Sequence, residues 1–317
     1  MFNKSKVQNS RKITVTGCFL GLGIWGLMLG TSYPQGCNDA GFCTVGDMKP
    51  VQRTDSGRLN LIISEIIGLG EKQTWWFTSE AEINVKLFEL GKAGLKIPYH
   101  LISGKIDNRN GPGDITLFYI QTLLHKSRWR AGITAALKIP VNDGGEERNG
   151  EPLPMPYQTS QGTWDMIAGF SFFLKTWHFS TAFQHNFNEN GNGYLDTVAV
   201  APSWTGYFPS RKIDRGDDVM IRVEKNVGKD KKVNYHLGLL PIYRMQRASI
   251  LNLRNERIEL ENSSGLTLNV NMGLSLRLSK GGLMKFYAGF PALTRKVRPD
   301  GLTRSFSATV LLELPVE

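Results

Sequence analysis

Residues 266–278 read Leu-Thr-Leu-Asn-Val-Asn-Met-Gly-Leu-Ser-Leu-Arg-Leu. Leu266, Leu268, Val270, Met272, Leu274, Leu276 and Leu278 alternate with Thr267, Asn269, Asn271, Gly273, Ser275 and Arg277. A strict period of two places one residue set on each face of a strand and cannot build one face of a helix, where neighbours recur every 3.6 residues. The run is also long. Strands of soluble domains peak near about five or six residues, whereas a strand tilted across a bilayer needs about 9–11.

The same pattern recurs along the chain. Trp129, Ala131, Ile133, Ala135, Leu137 and Ile139 alternate with Arg130, Gly132, Thr134, Ala136 and Lys138. Ala81, Ile83, Val85 and Leu87 alternate with Glu80, Glu82, Asn84 and Lys86, and the segments at 177–184 and 219–224 behave alike. Long strands sorted this way fit a barrel with lipid outside and a polar interior. They predict twelve segments: 57–67, 74–88, 93–104, 113–124, 128–140, 163–174, 177–186, 217–227, 232–246, 264–279, 283–293 and 303–315. Short connections alternate with long polar ones, notably 141–162 and 187–216. The fold expected is all-β, a transmembrane antiparallel barrel over residues 57–317, with both termini periplasmic and the long loops outside. Its rival, a soluble β-sandwich binder, would have shorter strands and a polar outer face.

The 317 residues include 38 basic and 28 acidic side chains, a net charge of +10, with 41% hydrophobic residues. Such a chain is too apolar and aromatic for disorder. A mean hydropathy of −0.23 excludes a bundle of membrane helices, each of which needs about 20 nearly uninterrupted apolar residues. Residues 1–35 form a separate unit. Lys4, Lys6, Arg11 and Lys12 precede an apolar run from Ile13 to Gly30 that carries five glycines, and a polar exit follows. This is the layout of a secretory leader, cleaved near Gln35, rather than an anchor helix. Gly21-Leu-Gly23-Ile-Trp-Gly26 spells the dinucleotide fingerprint, but a charged leader rather than a strand precedes it and the segment is expected to be removed. Without the leader, 34 basic residues face 28 acidic ones, a net charge of +6 spread without a stripe, so nucleic acid is not an expected partner.

The expected N-terminal segment, 36–56, carries Cys37 and Cys43. Export into an oxidising compartment predicts a short-loop disulfide between them, and no nearby histidine or second cysteine pair supports a metal site.

At this point a resemblance is visible. Cys37-Asn-Asp-Ala-Gly-Phe-Cys43, Gly111-Pro-Gly-Asp-Ile, Leu153-Pro-Met-Pro-Tyr-Gln with Gly-Thr-Trp-Asp165, and Val297-Arg-Pro-Asp-Gly301 look like the outer-membrane transporter-like barrels named for the phenol meta-pathway. That family is related to the long-chain fatty-acid and aromatic-hydrocarbon channels of Gram-negative bacteria. The resemblance implies an outer-membrane barrel that passes small hydrophobic molecules, with the N-terminal segment as a plug.

No catalytic or metal motif accompanies these segments. His100, His125, His178, His185 and His236 form no metal-spaced pair, and the Gly-x-Ser-x-Gly elbow is absent. Asn186-Phe-Asn188-Glu-Asn190-Gly191 begins like a calcium loop, but its twelfth position is Thr197 rather than a bidentate Glu. No enzyme, cofactor or metal is therefore expected. The candidate functional residues are the lumen-facing set given by strand parity: Glu80, Glu82, Lys86, Lys96, Arg130, Lys138, Arg222, Glu224 and Arg277, with both signs pairing across the interior. The expected partners are outer-membrane lipid and small hydrophobic solutes, the latter met first by the loop aromatics Tyr157, Trp164, Trp204, Tyr207 and Phe208. The expected function is a passive conduit or binding barrel. Its alternative is a structural or adhesive barrel with a closed lumen.

Overall fold

The computed structural model describes residues 45–49, 58–198, 202–228, 232–278, 281–302 and 304–316. The leader segment and the Cys37–Cys43 pair lie outside these residues. Twelve long strands follow one another: β1 Leu59–Gly70, β2 Trp75–Lys86, β3 Gly91–Ser103, β4 Ile115–Lys126, β5 Trp129–Ile139 and β6 Asp165–Leu174. They continue with β7 Trp177–Asn186, β8 Asp218–Val227, β9 Val233–Arg244, β10 Gly265–Arg277, β11 Leu283–Leu293 and β12 Arg304–Val316. Each pairs antiparallel with the next, and β12 returns to β1 with Leu59 opposite Val316 and Leu69 opposite Phe306. The sheet is a closed twelve-stranded transmembrane β-barrel. Closure satisfies backbone groups that lipid cannot hydrogen-bond, so no strand of the wall is left with a free edge.

The predicted segments and the observed strands agree within three residues at every end. The first strand runs on to Gly70, because Gly68, Leu69 and Gly70 still pair with β12. Between β3 and β4 a short strand, Asn108–Pro112, folds back on the end of β3. Connections at one end of the barrel are brief, as at 87–90, 127–128 and 175–176. Those at the other end are long, at 104–114, 140–164, 187–217, 245–264 and 294–303, with only the turn at 71–74 short.

Parity decides which residues face lipid. In β2, Trp76, Thr78, Glu80, Glu82 and Asn84 are buried, while Trp75, Phe77, Ala81, Ile83 and Val85 are exposed. On β9, Leu237 is 57% exposed, and Ile133, Phe170, Ile221 and Phe286 repeat this around the wall. A continuous apolar belt this large does not persist in water. Its solvent is the hydrocarbon core.

Candidate functional site

The interior is filled by side chains. Phe118 and Ile120 of β4, Ala136 of β5, Ile167 of β6, Met220 of β8 and Leu240 of β9 form one buried apolar cluster. Charged side chains are buried around it, some of them on the same strands. Lys96 meets Glu80 at 2.8 Å on the neighbouring strand, and Lys285 meets Glu313 at 3.0 Å. On β8, Arg222 lies 3.5 Å from Glu224, and His236 lies 3.5 Å from the same carboxylate while its Nε2 pairs with Ser275 Oγ at 2.7 Å.

Every residue of the parity-derived set sits on the inward parity of its strand. Glu80, Glu82, Lys96, Lys138, Arg222 and Glu224 are buried, and Arg130 is half-buried. Lys86 and Arg277, at the short-turn ends of β2 and β10, are exposed. Lys96–Glu80 and Arg222–Glu224 join neighbours on the same or adjacent strands, where inward side chains stand about 5 Å apart, and Glu82 and Arg130 meet the N-terminal segment.

That segment, Val45–Lys49, lies inside the barrel. A single 3₁₀ turn at Gly46–Met48 packs on β4, β5, β6 and β7. Val45 and Met48 complete the apolar cluster, and both are essentially inaccessible. Ser171 Oγ donates to the Asp47 carbonyl at 3.1 Å, and Arg130 stands 3.8 Å from the Asp47 carboxylate. Lys49 forms an ion pair with Glu82. The fit depends on two glycines. Gly46 has φ +56°, and a Cβ there would lie 2.8 Å from Thr134 Cγ2. Opposite it, a Cβ on Gly169 would lie 2.3 Å from Met48 Sδ, so that position keeps the groove open for the methionine. Beside this segment, Arg130 lies over the Phe173 ring at 4.4 Å, and His178 stacks on the same ring at 4.2 Å.

At the long-loop end lies a second charged cluster. Lys138 Nζ lies 3.0 Å from Asp114 and 3.9 Å from Asp165, and Arg215 binds Asp165 at 2.8 Å. Arg244 grips Asp218 through two hydrogen bonds of 2.9 and 2.6 Å and reaches Asp300 at 2.8 Å. Arg295 adds a 3.5 Å contact to Asp300. Burial alone would raise the Asp300 carboxyl, but Arg244, Arg295 and Arg215 outweigh it and hold the group well below the usual carboxylate range. Glu71, in the turn after β1, is pushed up to about 7 by burial, against the opposing pull of Arg298 and Lys72.

Over this cluster the 153–161 segment is folded inward and buried throughout. Pro156 O accepts from Trp76 Nε1 at 3.0 Å, Tyr157 Oη accepts from Ile106 N at 3.2 Å, and Gln161 N donates to Asp114 at 3.1 Å. Asn190 Nδ2 contacts Met155 Sδ at 3.2 Å, and Gly301 abuts Met155. Contacts to β2 and to three other loops place the segment across the mouth as a cap. Tyr157 and Tyr207 pack edge to face within it, 5.9 Å apart, with Trp204 alongside. These two tyrosines are thus cap core rather than a surface offered to solutes. Phe208 lies under Arg298, and only Trp164, 43% exposed, faces outward.

The candidate calcium loop uses its oxygens internally. Asn190 Oδ1 accepts from Asn192 N and Ile213 N, and Asn188 Oδ1 accepts from Trp164 N. Among the described residues no group of three His, Cys, Asp or Glu is placed to hold a metal ion. On the outer loops a cavity of about 440 Å³ opens between Leu195, Pro209, Ile250, Leu253 and Ile258, with Arg254 at its rim.

Sequence reading missed the mouth cluster as a cluster. Its members were nonetheless in view as separate motifs. Asp114 closes Gly-Pro-Gly-Asp, Asp165 closes Gly-Thr-Trp-Asp, and Asp300 sits in Arg-Pro-Asp-Gly. Each appears in sequence as a turn, and the fold gathers all three at one end of the barrel.

No protein-family model matches the sequence, and no curated protein matches it. The phenol meta-pathway resemblance therefore gains no support from a family model. Among solved structures, an outer membrane channel from Pseudomonas putida F1 superposes with a TM-score of 0.56 at 11% identity, over 83% of this chain and 98% of that one. The NanC porin (TM-score 0.44, 7% identity, 82% and 99% covered) and the KdgM porin (0.42, 9%, 81% and 99%) also match. The fold is that of an outer-membrane channel barrel. At these identities the likeness concerns the fold alone.

Proposed function

We propose that this protein is an outer-membrane conduit for small, mostly hydrophobic solutes, closed at rest by its own N-terminal segment. It is exported behind a leader removed near Gln35 and reaches the outer membrane of a Gram-negative cell. Cys37 and Cys43 pair in the segment leading to the plug. The observation that carries the reading is the chain segment Val45–Lys49 buried inside the barrel, with Val45 and Met48 in the apolar cluster and Lys49 paired with Glu82. Side chains alone fill a lumen of about eight strands, whereas this twelve-stranded one takes in a stretch of its own backbone.

The lining suggests how passage occurs. Phe118, Ile120, Ile167, Met220 and Leu240 offer an apolar track, which desolvates a small hydrophobic solute without demanding hydrogen bonds. Around them, paired charges hold the barrel in register. Val45 and Met48 occupy this track in the closed state. Opening requires that Lys49 leave Glu82 and Asp47 leave Arg130. No residue in this scheme performs chemistry.

The test is flux through the reconstituted full chain, measured as planar-bilayer conductance and as entry of solutes of graded polarity into proteoliposomes. The wild-type chain is expected to pass apolar solutes in preference to sugars of equal size. Asp47→Asn with Lys49→Gln is expected to raise both conductance and flux. Absence of flux for every solute, in both chains, rejects the conduit and leaves a closed structural barrel.

A further inference from the structure

The cavity on the outer loops is separate from both the N-terminal segment and the mouth cluster. One side of it is a short hairpin in the 245–264 connection, Ser249–Leu251 against Arg257–Glu259, with Ile250 directly opposite Ile258. Opposite partners share a face, and these two isoleucines line the cavity together with Leu195 and Pro209 of the 187–217 connection. Asp214 pairs with Ser249 through two backbone hydrogen bonds of 2.9 Å, which holds the hairpin against that connection. Ile250 is buried with Leu195, Ile213 and Ala248, whereas Ile258 is 40% exposed and Leu253, at the hairpin tip, 61%. Leu195 follows Tyr194, whose ring packs on Tyr207 in the cap, so the cavity backs onto the cover of the mouth.

Four polar residues complete the lining: Asp196, Thr197, Asn252 and Arg254. Asp196 accepts the Gly206 N–H through Oδ1. Asn252 is saturated, since Oδ1 accepts from Arg254 N and Glu256 N at 2.8 and 3.0 Å and Nδ2 donates to Glu256 Oε2 at 2.9 Å. Glu256 is thereby turned to Asn252, and its side chain is not part of the lining. The Arg254 guanidinium forms no ion pair among the described residues. A second guanidinium stands beside it. Arg211 donates to Asn252 O at 2.8 Å and to Asn255 Oδ1 at 2.7 Å, both uncharged acceptors. Two cations thus meet at the hairpin tip, neither ion-paired with a carboxylate, and their field favours an anion there.

We propose that this cavity is a binding site for a small apolar monocarboxylate. The apolar body of the ligand lies among Leu195, Pro209, Ile250, Leu253 and Ile258, and its carboxylate lies on Arg254 at the rim. A volume of about 440 Å³, walled by aliphatic side chains with one uncommitted charge, has the size and composition of a small-molecule site. The guanidinium fork matches a carboxylate in geometry as well as in sign, and a charge-assisted pair of this kind fixes the orientation of a ligand that the aliphatic wall alone would hold in any pose. A neutral apolar molecule would leave that cation unused, and a cationic one would meet Arg254 and Arg211. The site names the class of solute gathered beside the capped mouth. It rests on the conduit reading for its purpose and not for its existence.

Isothermal titration of the full chain in lipid nanodiscs tests this, with empty nanodiscs as the blank and heat-modifiability of each sample reporting that the barrel is folded. The probes are 2-naphthoate and its uncharged isostere 2-naphthamide. The wild-type chain is expected to bind naphthoate saturably and at least about tenfold more tightly than the amide. Arg254→Gln, which keeps the polar stem and removes the charge, is expected to erase that preference by weakening naphthoate about tenfold while the amide stays within about threefold. Ile258→Trp, which fills the cavity and leaves Arg254 in place, is expected to abolish binding of both. No saturable naphthoate binding by the folded wild type overturns the proposal. Equal affinity for acid and amide does so too, as does naphthoate binding that either substitution leaves intact. Saturable binding in a chain that shows no flux rejects the conduit and keeps the site, whereas flux without binding rejects the site alone.

Discussion

Arg244 at the mouth offers the sharpest energetic test. Its side chain is 2% exposed, at the last position of β9, and holds Asp218 by two hydrogen bonds and Asp300 by one. Arg244→Met keeps the length of the stem and removes the charge, leaving two buried carboxylates facing each other. Breaking a buried ion pair by removing one partner costs about 3–5 kcal/mol, because the surviving charge is uncompensated. Here one cation serves two anions, with Arg295 and Arg215 near Asp300 as the remaining help, so a loss within that range is expected. Urea unfolding from lipid vesicles, followed by tryptophan fluorescence, reads the loss. The pH dependence supplies the sign. In the wild type, Asp300 titrates well below 3.8, so its stabilising contribution is present above that value and disappears only as pH falls through its low folded value. The wild-type curve should therefore change little from this group between pH 7 and pH 4. In the variant, the bare carboxylates gain by taking up protons, and the deficit should shrink over the same range. Arg244→Met combined with Asp218→Asn and Asp300→Asn should recover stability. A deficit under about 1 kcal/mol at pH 7, or one that does not change down to pH 4, refutes the assignment of this cluster as a buried, mutually dependent network.

Gly169→Val should push Met48 from its groove while leaving β6 paired, so proteolysis of the N-terminal segment and bilayer conductance are both expected to rise; unchanged conductance with a folded barrel counts against the plug. For Glu71, the raised value means that stability is full below the unfolded value of 4.5 and is lost as pH rises through about 7; Glu71→Gln should flatten that slope in the thermal midpoint, and a wild-type midpoint constant from pH 5 to pH 8 speaks against it. In a background without native cysteines, Glu147→Cys should label with an impermeant thiol reagent on intact cells and Ser127→Cys should not; the reverse pattern inverts the topology.

The strands were legible because lipid demands an apolar residue at every second position over the full span. Leu266–Leu278 and Trp129–Ile139 obey this without exception, and parity then assigned Glu80, Lys96 and Arg222 to the inward side. β1 resisted the same treatment. Its doublets Ile62-Ile63 and Ile66-Ile67 put isoleucine on both faces, since this part of the interior is itself apolar, and the outward placement of Glu65 was hidden. The mouth cluster was illegible for a different reason. Arg244 and Asp300 are 56 residues apart, and Arg215 and Asp165 are 50. Only closure of the sheet brings such loops to one rim, and local turn chemistry explains each motif equally well in isolation. The plug left little signal, since Val45-Gly46-Asp47-Met48-Lys49 has no periodicity to read.

The closing seam has a consequence for how the molecule is put together. Leu59 pairs with Val316, so the last hydrogen bonds of the wall join the two ends of nearly the whole described chain. Such a pairing forms late, after the local hairpins, because its loop-closure entropy is the largest in the fold. Val45–Lys49 precedes β1 and yet lies among β4, β5, β6 and β7. It must therefore be laid against those strands while the wall is still an open sheet, or be threaded in afterwards from the short-turn end. Laying it down first makes Met48 and Val45 a template on which the half-built sheet curls. On that route, closing the wall and filling the lumen are a single event, and the N-terminal segment is already in place when the barrel first appears in the membrane.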